Sequence, residues 1–251
     1  NVMHVKKNIV TILIMSIVLF TLSQCTMKKA ISKSETVNRI IDFSGYKWLV
    51  RNTNQLKYGP GPNFFSNSIE NVWVDEAGKL HLKIINKDEN WYCAEVTLNQ
   101  QVGYGKYIFY INSSLTNLED NVVVGLFTYL DDSQEIDIEF SKWSLKDNEN
   151  SQFVVQPYEK EGNIFRFDMN DSLGSTTHSF EWNKNHIVFE SKYGQNENEL
   201  PYISWTYTGK NIPLKSDERL KINLWLYQGK APMNNKSQEI IIDSIRYIPS
   251  Y

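Results

Sequence analysis

Short β-prone runs recur along this chain at residues 80–84, 95–98, 106–112, 122–130, 135–140, 153–158, 178–182, 187–192, 203–207, 220–227 and 240–247, separated by stretches that carry Gly, Asn, Asp and Ser. From Ile40 onward no segment carries a sustained helical period. So many strands cannot share one flat sheet, because an open twisted sheet of that width curls or splits. The chain is therefore expected to be all-β, with two stacked antiparallel sheets forming a sandwich of jelly-roll kind. Turn signals at 59–62, 75–78 and 183–185 punctuate the runs. If one sheet is concave, its outer face makes a groove for an extended polymer. The 13% aromatic content suits stacking on flat apolar ligand faces as well as core packing.

The first part of the chain has another character. Lys6 and Lys7 precede an apolar run over residues 9–22, the pattern of a secretory signal. A membrane-spanning helix needs about 20 apolar residues. Leu22-Ser23-Gln24-Cys25 is similar to a bacterial lipobox, with Gln24 where a small residue is usual, and this marks Cys25 for lipidation. The expected organisation is a lipoprotein-type signal peptide over 1–25, a polar tether over 26–39 and a single domain over 40–251. Export to the cell surface or outer membrane follows, or to the periplasm or medium if Cys25 is not acylated. The net charge of -3 lacks the basic excess of a nucleic-acid binder. Two cysteines cannot build a disulfide framework or a four-thiolate zinc site.

Glu135-Ile136-Asp137-Ile138-Glu139-Phe140 carries the chemistry. On a strand, alternate residues share a face, so the three acids point one way and the three apolar residues the other. A solvent-facing amphipathic strand would show the same alternation. Acids are poor strand formers, however, and like charges on one face repel. Glu135 and Glu139 have Cα atoms about 13 Å apart at ~3.3 Å per residue. Side chains leaning together bring the carboxyls towards the ~5–5.5 Å of a retaining glycosidase pair. Three clustered carboxylates also retain a proton near neutral pH, which a general acid requires.

These residues resemble the signature of glycoside hydrolase family 16, in its form without an inserted bulge residue, as in lichenases and xyloglucan endotransglycosylases. The resemblance extends to residues 73–82, Cys93-Ala94-Glu95-Val96, Gly103-Tyr104-Gly105-Lys106-Tyr107, Ser179-Phe180-Glu181-Trp182, Ile222-Asn223-Leu224-Trp225 and the run from Asp243 to Tyr247. It implies a concanavalin A-like sandwich with a glycan cleft. Glu135 would be the nucleophile, Glu139 the acid/base and Asp137 their electrostatic assistant. Asn223, Trp225, Glu95 and Phe127 would line the substrate cleft. No cofactor is required, although Gly78 and Asp243 match positions that often hold a structural calcium ion.

Departures bear on specificity. The tryptophan that lichenases carry before the first glutamate is absent from Asp132-Ser133-Gln134, and an arginine expected after Glu95 is replaced near Thr97. The usual disulfide partner of Cys93 is missing, leaving a free thiol. The resulting expectation is a monomeric, exported, retaining endo-β-glycanase acting on a glucan-type polysaccharide. A transglycosylase using the same chemistry, or a non-catalytic carbohydrate-binding sandwich, is the alternative. The Gly59-Pro60-Gly61-Pro62-Asn63 loop is expected to be a rigid turn, or else a wall of the cleft.

Overall fold

The computed structural model describes residues 39–170 and 174–250; the signal-peptide and Cys25 assignments lie outside them. The strands are β1 (Ile40–Phe43), β2 (Tyr46–Val50), β3 (Phe64–Phe65), β4 (Val72–Val74), β5 (Leu80–Lys87), β6 (Asn90–Leu98), β7 (Gly105–Ile111) and β8 (Val122–Asp131). They continue with β9 (Gln134–Phe140), β10 (Ser151–Val155), β11 (Ile164–Phe167), β12 (Thr176–Trp182), β13 (Ile187–Tyr193), β14 (Ile203–Tyr207), β15 (Arg219–Leu226) and β16 (Gln238–Pro249). A single 3₁₀ turn at Tyr227–Gly229 is the one helical element among the described residues.

The hydrogen-bonded order is β11-β10-β9-β8-β15-β6-β5-β16-β7-β12-β13-β14, which folds back on itself where β6 meets β5. The front sheet runs from β11 to β6 and continues into β2 and β1. The back sheet runs from β5 to β14, with β4 on the outer side of β5. Pairing is antiparallel throughout except for the short β3–β6 contact. Alternation then builds the core. Val96, Leu126, Ile138, Phe153 and Ile222 of the front sheet meet Leu82, Phe109, Phe180, Phe189 and Ile240 of the back sheet in one buried cluster. Each such side chain contributes roughly 1.5–3 kcal/mol on leaving water.

Every run expected from the sequence is a strand. Five further strands were not expected, because each is short and lacks a run of alternation. The β1–β2 hairpin turns at Ser44-Gly45, with φ of 52° and 78°, a two-residue turn whose right-handed twist matches its strands. The run expected at 153–158 stops at Val155, before Gln156-Pro157. Arg39, placed in the tether, already belongs to the fold: its guanidinium donates to Asn67 O (3.0 Å) and Ser68 O (3.2 Å).

Candidate active site

The front sheet presents its outer face as a cleft of about 620 Å³. Register sets what lines it. On β9, Ile136, Ile138 and Phe140 are wholly buried in the core, so Glu135, Asp137 and Glu139 face the cleft together. On β15, core-facing Leu220, Ile222 and Leu224 alternate with cleft-facing Lys221, Asn223 and Trp225. On β8, Gly125, Phe127 and Tyr129 line it. Cross-strand pairing arranges these side chains in rows perpendicular to the strands. One row runs Glu95, Asn223, Gly125, Glu139, Gln152, Arg166, and its neighbour runs Thr97, Lys221, Phe127, Asp137, Val154, Ile164. The structure thus brings all seven expected cleft residues together in one place.

Gly125 leaves room for its neighbour: a Cβ there would lie 2.5 Å from Asn223 Oδ1 and displace that amide. The wall at the β15 end is the Gly-Pro loop, of which Tyr58, Gly59, Pro60 and Gly61 line the cleft. Asn63 clamps it by donating from Nδ2 to Pro60 O and to Leu226 O, both at 2.8 Å. Gly61, at φ 119°, leaves no room for a Cβ beside the Asn63 amide. The loop is therefore both a rigid turn and a cleft wall.

The electrostatics follow from burial. Removal from water disfavours the charged form of each member of the trio. Glu135 is pushed up to about 7 by burial first; a hydrogen bond from Asp137 and the charge of Lys221 pull it back, while Glu139 adds to the rise. Asp137 is raised well above the usual carboxylate range by burial and by both glutamates. Burial also raises Glu139, opposed by a 2.6 Å hydrogen bond donated from Gln152 Nε2 and by the charge of Arg166. Within the Glu135–Asp137 pair, Asp137 is the partner that holds a proton, donating it towards Glu135, and the titration belongs to the cluster as a whole.

Glu95 is buried and ionically saturated. It accepts from Arg51 Nη1 (3.0 Å) and from Lys221 Nζ (3.3 Å), and Asn223 Nδ2 lies 3.5 Å away. This explains the departure at Thr97. Lys221 is the direct cross-strand partner of Thr97, so the cation expected on β6 comes from β15 instead. Sequence reasoning missed Arg51, Lys221, Gln152 and Arg166, because their places beside the carboxylates depend on strand register and loop packing that local pattern does not carry. The alternation of Lys221 with Asn223 and Trp225 was a usable signal for one of them.

Two other expected features resolve away from the cleft. Cys93 is a free, buried thiol, its pKa pushed up to about 12 by burial. The calcium expectation does not fit. Asp243 sits at a register break between β16 and β7, a bulge that re-aims its carboxylate. There it accepts from Asn112 Nδ2 (2.8 Å to each oxygen), from Gln195 Nε2 (2.5 Å) and from the Lys79 ammonium (2.8 Å). Burial raises Asp243, but these donors win and hold it below its ordinary value. A carboxylate already filled by three donors, one of them a cation, is a poor fit to a calcium ion, which would have to displace them. Gly78, at φ 80°, serves the turn between β4 and β5, donating its N–H to Asp75 O (3.0 Å).

A two-sheet sandwich with a carboxylate-lined cleft on one face defines the architectural class, and solved structures of that class superpose on this chain. The β-glucanase of Bacillus licheniformis is 20% identical, with 80% of this chain and 92% of that one covered, at a TM-score of 0.60. A β-1,3-1,4-glucanase (lichenase) from a mouse hindgut metagenome is 19% identical over 81% and 93%, at 0.57. An immunostimulatory antigen and pseudo β-1,3-glucanase of Mycobacterium tuberculosis is 20% identical over 81% and 91%, at 0.62. No protein-family model and no curated protein matches the sequence. At these identities the likeness shows the fold alone, an antiparallel β-sandwich.

Proposed function

We propose that this chain is a glycoside hydrolase of family 16, a retaining endo-β-glycanase acting on a β-linked glucan-type polysaccharide. The observation that carries the reading is the trio Glu135, Asp137 and Glu139, which share one cleft face with every pKa raised by burial. The naming of the structural neighbours as glucanases supports it.

In this reading a sugar lies across the strands, with Asn223 meeting its hydroxyls and Trp225 its apolar face. The ionised Glu135 attacks the anomeric carbon as the glycosidic bond to the leaving oxygen breaks. Glu139 delivers its proton to that oxygen, which departs as a hydroxyl. Water, deprotonated by Glu139, then cleaves the glycosyl–Glu135 ester and restores both carboxyls with the original β configuration. Asp137 donates its hydrogen bond to Glu135 in the free enzyme and stabilises it again as the leaving carboxylate of the second step. Replacing water with a sugar hydroxyl gives transglycosylation by the same steps.

A reducing-end assay over lichenan, laminarin, xyloglucan, agarose and carrageenan tests the activity. Proton NMR of fresh product tests the stereochemistry, with the β anomer expected first. An initial α anomer, or undiminished hydrolysis by Glu135→Gln, would overturn the assignment. No turnover on any chain, with binding retained, would leave a carbohydrate-binding sandwich. Export and anchoring at Cys25 draw their support from residues 6–25 alone. Incorporation of labelled palmitate, lost in Cys25→Ala, is the expected result.

A further inference from the structure

The outer face of the front sheet continues past the catalytic strand. Beyond β9, away from Asn223 and Trp225, lie β10 and β11, where Glu139 is paired with Gln152 and Gln152 with Arg166. Phe153 and Phe167 face the core, so Gln152 and Arg166 stand on the cleft face with Glu139. At a strand spacing of about 4.8 Å, Arg166 starts roughly 10 Å from Glu139 along the row. Its charge nevertheless acts on Glu139, pulling the proton affinity down against burial.

We propose that Gln152 and Arg166 form the subsite for the sugar on the leaving-group side of the cleavage point, with Trp143 as the positioning residue for Arg166. This rests on the glycosidase reading above. The acid/base touches the leaving oxygen, so residues next in its row meet the sugar that leaves and, in transglycosylation, the one that arrives.

The two side chains offer complementary chemistry. Gln152 is only 5% exposed; its Nε2 is committed to Glu139, and its Oε1 has no partner. An unmet buried acceptor is destabilising, and a sugar hydroxyl reached by a small rotation of the amide would satisfy it. Arg166 is a donor-only fork. Its Nη1 donates to Asn148 Oδ1 (3.1 Å), and among the described residues no carboxylate pairs with it. Its remaining N–H groups suit oxygen acceptors on a pyranose, whether hydroxyl, sulfate or carboxylate.

Trp143 is held in an unusual place. The Arg166 guanidinium lies over its indole at 4.8 Å. Trp143 and Ser144 both adopt left-handed backbone, at φ 48° and 63°. Such conformations are strained for side-chain-bearing residues and persist only when their surroundings enforce them. Here Trp143 N–H donates to Ser141 Oγ (2.9 Å) and Ser144 N–H to Asp120 O (2.8 Å), while Ser144 Oγ donates to Asn121 Oδ1 (2.7 Å). The strain is concentrated at the turn that holds the indole under the Arg166 guanidinium.

The test compares two substrates with one glycone: an oligosaccharide whose leaving group is a sugar, and a 4-nitrophenyl oligoside whose leaving group is a phenol. For Arg166→Ala, the ratio of kcat/KM between sugar and phenol leaving groups should fall about tenfold, with Arg166→Lys in between. Trp143→Gly, which relieves the left-handed strain, should lower the same ratio several-fold. An unchanged ratio in both variants would overturn the proposal, whether activity is kept or lost equally on both substrates. Neutral, sulfated and uronate-bearing chains are separate arms. Loss on all assigns Arg166 to hydroxyls, and loss confined to the charged chains assigns it to an anionic substituent. A parent inactive on both leaving groups would instead refute the glycosidase reading itself.

Discussion

If burial raises the trio, the candidate nucleophile costs the fold stability, and removing its charge should show how much. Glu135 has its pKa raised from 4.5 to about 7, with burial as the first cause. A carboxyl whose folded pKa exceeds its unfolded value contributes fully only below the unfolded pKa. That contribution is lost as pH rises through the folded one. Below about pH 4.5, Glu135 and a glutamine in its place should therefore be nearly equivalent. Above about pH 8 the parent should be the less stable by about 3 kcal/mol, from a pKa difference of 2.5 at 1.36 kcal/mol per unit. For a domain of this size that is roughly 6–12 °C in Tm. Thermal unfolding of the parent and Glu135→Gln from pH 4 to 9 reads the effect as a gap opening between pH 5 and 8. A gap that does not change with pH, or a variant less stable than the parent at pH 8, would refute the reasoning. Hydrolysis should be absent from the variant throughout.

Lys221→Met removes a charge that holds Glu135 down, so the acidic limb of kcat/KM should move to higher pH while Arg51 still pairs with Glu95. Gly125→Ala places a Cβ against the Asn223 amide; a loss of about tenfold in kcat/KM, roughly 1.4 kcal/mol, is expected with little change in Tm. Calcium and EDTA should both leave Tm unchanged, whereas Lys79→Met, which deprives Asp243 of its cation, should lower stability by about 1 kcal/mol.

The sequence made the catalytic strand legible because its information is local: parity alone puts Glu135, Asp137 and Glu139 on the face opposite Ile136 and Ile138. Strand positions were similarly readable wherever alternation lasted five residues or more. What stayed hidden was register. Nothing in the sequence around Thr97 says that Lys221 will stand beside it, or that Gln152 will donate to Glu139 from the next strand. The calcium expectation failed for a related reason. Gly78 and Asp243 are the right residue types, but Lys79, Asn112 and Gln195 converge on Asp243 from three separate parts of the chain. Short strands such as Phe64–Phe65 leave no periodic trace at all.

The rows that cross the front sheet give this cleft a modular grammar. Along Glu95, Asn223, Gly125, Glu139, Gln152 and Arg166, each successive position belongs to a different strand. Under the proposed function, a polymer lying along the row would meet one strand at a time. A substitution on β11 can therefore revise one end of the recognised chain without disturbing the backbone that presents the other end. The catalytic strand has less freedom: an extra residue between Asp137 and Glu139 would have to be absorbed in a β-bulge to keep both carboxylates on one face. Specificity can drift strand by strand around a centre that must stay fixed in parity.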